Sequence, residues 1–280
     1  MEMLDLLVWP FAACLVLTGI HCYLGIHVVT RGVIFVDLAL AQIAALGTTV
    51  GLLLGCELHS YGTYAISVLF TFAGAAVFSL SRFRDERIPQ EAIIGIVYAV
   101  SSATAVLVLD KAPHGHEAIH AMLVGSVLYV TPMQVVKTLL IYSAVGVLHF
   151  MLRKKFLLIS ASPAEARRRG LYIRWWDFVF YITFGLVVTS SVAIAGVLLV
   201  FSYLVVPAVC AMLFVSRILP RLLIGWAVGF VVSVVGMYLS AQWDLPTGAA
   251  VVSTFGGALV VCTLVHAALC IVRADGGSKP

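Results

Sequence analysis

The chain has 280 residues, of which 62% are hydrophobic and 11% charged, and its mean hydropathy is +1.10. A soluble domain carries about 25% charged residues, so this composition excludes a water-clothed globule and points to a polytopic membrane protein. The net charge of +4 would suggest an acidic partner in a soluble chain. Here its distribution between the ends of the spans matters more, and nothing points to nucleic acid.

A membrane-crossing helix needs roughly 20 apolar residues. Apolar stretches near 5–25, 33–55, 61–80, 91–109, 131–152, 176–191, 195–216, 221–241 and 247–271 therefore predict an all-α bundle of nine transmembrane helices, a single transmembrane domain over 1–280. The stretch 176–216 reads either as two short helices with a turn at Ser190-Ser191 or as one span plus a re-entrant piece, so eight spans is the alternative count. The amino terminus, Met1 to Asp5, is acidic where a secretory signal would be basic, and the first segment is expected to stay.

With the amino terminus outside, all 17 Lys and Arg except Lys111 and Lys137 fall on the inner side. That is the asymmetry expected of cytoplasmic connections, and it predicts N-out, C-in with an odd number of spans. Trp175 and Trp176 fall at an inner boundary, and Trp9, Tyr61, Tyr64, Tyr129 and Trp243 at outer ones, as interfacial anchors do.

In the second span Gly47, Gly51 and Gly55 recur at every fourth position, a row that lets another helix approach closely. Asp37, near its inner end, is a candidate path residue because a carboxylate in a bilayer is costly; water or Arg31 are its alternative partners. Gln42, near mid-membrane, offers a carbonyl oxygen to a passing ion or an interhelical hydrogen bond. Five residues on a helix is about 140°, so Asp37 and Gln42 do not share a face.

The outer segment 110–120 places His114, His116, Glu117 and His120 close together in sequence. Imidazole plus carboxylate is a first-row transition-metal ligand set, and the alternative is a solvated loop. His59 lies in another outer loop. His21, His149 and His266, near or within spans, read as helix-packing residues. The six cysteines form no C-x-x-C pair, and all but Cys56 read as small buried hydrophobes.

The one sizeable inner connection, 154–175, is punctuated as a short helix. Ser162 suits its cap, Pro163 its first position, Glu165 its first turn and Gly170 its end. A rigid element between spans can transmit force from a soluble partner; a basic loop resting on anionic lipid is the alternative. Further on, Pro207 interrupts an apolar helix and predicts a kink, a candidate gating point.

Three stretches together resemble the permease subunits of bacterial ABC importers for divalent metals. They are Gly25-Ile26-His27-Val28-Val29-Thr30-Arg31-Gly32 running into Asp37 to Gly47; Glu91 to Tyr98 followed by Leu123 to Leu128; and Ser162 to Gly170 followed by Ala195 to Val200 and Val205 to Ala208. Order and spacing match over roughly residues 8–260. The resemblance implies a type II ABC importer-like permease that moves zinc, manganese or iron by alternating access in the bacterial cytoplasmic membrane. It implies a second permease copy, an extracytoplasmic metal-binding protein, and cytoplasmic ABC ATPase subunits docked on Ser162, Pro163, Glu165, Ala166, Arg167 and Gly170. No permanently bound cofactor is implied; the metal is cargo.

The chain carries no G-x-x-x-x-G-K-S/T phosphate loop, so it is not expected to be an enzyme, and its energy must come from a separate ATPase. It also departs from the family pattern, whose manganese and zinc carriers typically show a Ser-His pair after an Asp in the second span. Here Ala41 and Gln42 stand in those places, and Asp37 lies one position earlier. An ion-coupled secondary transporter, relying on Asp37, Glu91 or Asp177, is the alternative function. An intramembrane metalloprotease is disfavoured by the lack of H-E-x-x-H.

Overall fold

A computed structural model of the chain describes residues 2–57, 60–82, 89–109 and 127–276. The helices are α1 (Glu2–Arg31), α2 (Val36–Leu53), α3 (Tyr61–Leu80), α4 (Gln90–Leu109), α5 (Pro132–Ala161), the short α6 (Pro163–Arg168), α7 (Ile173–Ala195), α8 (Val197–Phe214), α9 (Ile218–Trp243) and α10 (Thr247–Gly276). A single 3-10 turn, Val127–Tyr129, precedes α5. Among the described residues nine helices are long and apolar enough to cross a membrane, α6 being the exception.

The stretch 176–216 forms two helices, but they part at Gly196, not at Ser190-Ser191. Gly196 takes φ 76° and ψ 162°, a conformation open to glycine and strained for other residues. Both serines lie inside α7 because each hydroxyl donates to the carbonyl of Val187, at 2.9 Å from Ser190 and 2.5 Å from Ser191. Back-bonding of this kind satisfies a serine without ending a helix.

Close approach organises the bundle. α1 packs against α8, α9 and α5, and α2 against α3 and α4. A Cβ placed on Gly47 would sit 2.8 Å from Cα of Ser67, and one on Gly51 3.2 Å from Cα of Thr63. The Ser67 hydroxyl donates to the carbonyl of Ala44 across the same seam at 2.8 Å. Gly55 is not part of this row: it lies beyond the end of α2 at φ 84°, with nothing near it.

The core is aromatic at its centre. Phe156, Phe180, Tyr181 and Phe184 are all fully buried, with Phe180 stacked on Phe184 and edge-on to Phe156. Leucines and valines on α4, α5, α9 and α10 point outward instead, an apolar exterior suited to lipid. This outward face corrects the cysteine reading. Cys14, Cys22 and Cys210 are buried, but Cys262 is only partly so and Cys270 is exposed, because α10 has little of the chain around it.

α5 begins with a reciprocal cap. Thr131 Oγ1 accepts from the Gln134 backbone N–H at 3.3 Å, and the Gln134 side chain accepts from the Thr131 N–H at 2.8 Å. Thr131→Ala removes one half of that pair and is expected to cost about 1 kcal/mol. A small drop in the thermal midpoint of detergent-solubilised protein, with unchanged helicity, is the expected result.

Candidate path and docking helix

Asp37 and Gln42 both lie on α2, on different faces. Asp37 is 2% exposed and faces the protein interior, where its Oδ1 has no hydrogen-bond partner among the described residues. It does not pair with Arg31, which is engaged elsewhere. Gln42 is buried too, at 8% exposed, on a different face in line with Phe35, Leu38 and Leu46 at helical spacing. Phe35 on that face stacks on Phe201 of α8, ring centroids 6.2 Å apart.

Pro207 is buried in α8 beside Gly225, where a Cβ would lie 2.2 Å from Cys22 Sγ and 3.2 Å from the Pro207 carbonyl oxygen. No group of three or more His, Cys, Asp or Glu among the described residues is placed to hold a metal ion. The candidate ligands His114, His116, Glu117 and His120 lie outside the described residues, as does His59.

The helix expected over the 154–175 connection is present as α6. Pro163 opens it as predicted, and Gly170 follows its last turn at φ 77°. Ser162 occupies the cap position without donating or accepting a capping bond, so the punctuation works through proline and glycine, not through the serine hydroxyl. Glu165 Oε1 accepts from Arg169 Nε at 2.9 Å on the exposed side. Ala166 is fully buried in a small cluster with Ile159 of α5 and Ile173 of α7. Arg167 and Gly170 line an open cleft of about 560 Å³ beside it, together with Arg82 and Arg174.

Directly behind α6 lies a buried ionic network. The Asp177 carboxylate is fully buried and receives Arg31 Nη1 at 2.9 Å on one oxygen and Arg82 on the other. Arg31, 2% exposed, also donates from Nε to Ser160 Oγ at 2.8 Å and lies 4.0 Å over the Phe180 ring. His27 Nδ1 meets the same serine hydroxyl at 2.7 Å. Four elements, α1, α5, α7 and the end of α3, are thus joined at one end of the bundle. The one carboxylate is what holds the two guanidiniums together, Arg31 Nη2 having no partner among the described residues, and removing one partner of a buried pair costs about 3–5 kcal/mol.

Sequence reasoning missed this network. The available signal was the one Arg of α1, at its last residue, and the one Asp of α7, in its second turn, both at the basic end. A pattern can flag such residues but cannot pair positions 146 apart. His21 and His149 behave as read: His21 Nε2 meets Ser191 Oγ at 3.0 Å, and His149 Nε2 meets Thr183 Oγ1 at 2.8 Å. Glu91, at the start of α4, accepts from the Phe35 N–H at 3.2 Å.

The family model described as the ABC 3 transport family matches residues 3–266. The chain belongs to the ABC 3 transport family. The nine apolar helices among the described residues and this membership make the permease a multi-pass protein of the bacterial inner membrane.

The permease is 25% identical over 236 residues to the manganese transport system membrane protein MntC of Listeria innocua, covering 82% of this chain and 79% of that one. It is 24% identical over 260 residues to a probable iron transport system membrane protein of Haemophilus influenzae, covering 90% of each. Its fold is shared with PsaBC from Streptococcus pneumoniae in complex with Fab, at a TM-score of 0.74 and 19% identity over 92% of this chain and 90% of that one. A metal-chelate type ABC transporter in an inward-facing conformation is also similar, at a TM-score of 0.68 and 20% identity over 90% of this chain and 84% of that one.

Proposed function

We propose that the permease is the membrane subunit of an ATP-driven importer for a divalent transition metal, with manganese or iron as principal cargo and zinc as a further candidate. The observation that carries the cargo is the near full-length similarity to relatives named for manganese and iron transport. In this reading α6 is the docking helix for a separate cytoplasmic ABC ATPase, so the chain hydrolyses no ATP itself. The end bearing Arg31, Arg82 and α6 is cytoplasmic, which puts the amino terminus outside and the carboxyl terminus inside.

A second permease copy completes the path, and an extracytoplasmic metal-binding protein delivers the ion. The 110–120 loop is the receiving segment, with His114, His116, Glu117 and His120 as transient ligands. Gln42 lines the path, Asp37 contributes carboxylate close to it, and Pro207 gives α8 the bend on which gating turns.

The reading as an ion-coupled secondary transporter is weaker. Such coupling needs an intramembrane carboxylate able to take up and release an ion; Asp177 is held by two guanidiniums and Glu91 accepts from the Phe35 N–H, which leaves Asp37 as its one candidate of the three unpaired among the described residues. The deciding experiment places the permease with its ATPase in liposomes and follows manganese(II), iron(II) and zinc(II). Uptake that requires ATP hydrolysis supports the importer; uphill movement with a hydrolysis-dead ATPase, or no uptake of any of the three, refutes it.

Gln42→His places an imidazole where the family's manganese and zinc carriers have one. Gaining or losing one well-placed group at a metal site changes affinity by about 10–100-fold. The half-saturating manganese concentration is expected to fall roughly tenfold, read from initial uptake rates.

A further inference from the structure

The docking helix is too short to move the bundle by itself; what matters is where its ends are anchored. Ala166 sits on Ile159 and Ile173 in one cluster. The residue after Ile159 is Ser160, and one turn beyond Ile173 is Asp177, and both are held by the same side chain, Arg31. Any displacement of α6 therefore pulls on the end of α5 and the start of α7, and both pulls converge on the last residue of α1. Only four residues, 32–35, separate Arg31 from α2, which carries Asp37 and Gln42.

Stability does not account for this arrangement. Buried ionic clusters replaced by apolar residues of similar volume are often as stable or more so, and the adjoining aromatic core shows that this bundle packs apolar side chains well. What a charged cluster adds is discreteness: its hydrogen bonds are either made or broken, whereas apolar contacts slide. Elements with two such arrangements convert small displacements into defined ones.

We propose that Arg31, Asp177 and Ser160 form the joint that carries motion of the docking helix into α1 and α2, acting as positioning residues for energy coupling. This rests on the reading of α6 as the site of ATPase docking. Arg82 closes the joint from the α3 side; its side chain is 18% exposed, so it is the rim of the cluster and not its centre.

The test uses the permease–ATPase complex in liposomes, with manganese(II), iron(II) or zinc(II) uptake and phosphate release measured on the same vesicles. Ser160→Ala keeps every charge and removes only the hydroxyl shared by Arg31 and His27. It is expected to lower metal carried per ATP hydrolysed at least fivefold while hydrolysis continues. Asp177→Asn is expected to do the same more completely, and Asp177→Glu to recover part of the ratio.

Where Asp177→Asn does not assemble, Ser160→Ala alone decides. An unchanged ratio in Ser160→Ala overturns the joint, as does a parallel fall of hydrolysis and uptake. A wild-type complex that hydrolyses ATP but carries none of the three metals refutes the cargo reading instead. The joint is then read from ATP-driven changes in hydrogen exchange over residues 25–35: present in wild type and lost in Ser160→Ala supports it, present in both overturns it.

Discussion

Gly25→Val is expected to abolish the folded permease. A Cβ on Gly25 would lie 1.8 Å from the Leu204 carbonyl oxygen and 2.8 Å from its carbonyl carbon. These are backbone atoms of α8, so no rotamer change relieves the clash and the two helices must separate. Separation would open the seam at Cys22, Ile26 and Ala208, all buried there, and overpacking that cannot relax exceeds the usual 1–3 kcal/mol of a tight core insertion. Even Gly25→Ala is expected to fail on these distances. Gly19→Ala is the control on the same helix: nothing lies within 4 Å of its Cβ position, and alanine in place of a helical glycine contributes about 0.5–1 kcal/mol. Size-exclusion profiles and thermal melts in detergent should show Gly25 variants aggregated or absent and Gly19→Ala unchanged or slightly more stable.

The contrast between those two glycines shows what the sequence makes legible. Hydropathy locates all nine long helices because each must satisfy its backbone within itself and present apolar side chains to lipid. Nothing in that pattern distinguishes Gly19 from Gly25, since the difference is the identity of the opposing atom on α8. The row of Gly47, Gly51 and Gly55 is legible for its first two members and misleading for the third, whose positive φ places it past the helix end.

The short helix α6 is readable because Pro163 and Gly170 act locally. Its seat is not, because Ala166 is defined by Ile159 and Ile173 from either side. The Arg31–Asp177 pair fails to show for the same reason at greater sequence distance. Asp37 stood out as a carboxylate in an apolar span, and its alternative partner was Arg31; that arginine faces the neighbouring helices α5 and α7.

Ala166→Glu is expected to leave the nine spans folded and to destroy the partnership with the ATPase. α6 has six residues, and isolated helices shorter than about 12 residues are marginal in water, so its position depends on its seat. Ala166 is fully buried against Ile159 and Ile173, with Leu158, Leu171 and Trp176 packed around them. A glutamate there is larger than the seat allows and puts a carboxylate among apolar side chains, a burial that costs several kcal/mol unless it is paired. The helix escapes that cost by lifting off its seat, which strains the end of α5, joined to it through Ser162 alone, and the start of α7 but leaves the spans themselves in place.

Glu165→Ala addresses the exposed side. It removes an i, i+4 ion pair worth a few tenths of a kcal/mol at most, so any loss of ATPase binding from it reports contact with the partner, not loss of the helix. Gly170→Ala, at φ 77°, strains the turn by about 1–2 kcal/mol and is expected to fall between the two. Co-purification of the ATPase with tagged permease ranks all three: lost for Ala166→Glu, partial for Gly170→Ala, and for Glu165→Ala set by the side chain's own contact. Retention of the ATPase by Ala166→Glu at wild-type level would show that the enzyme grips the permease elsewhere.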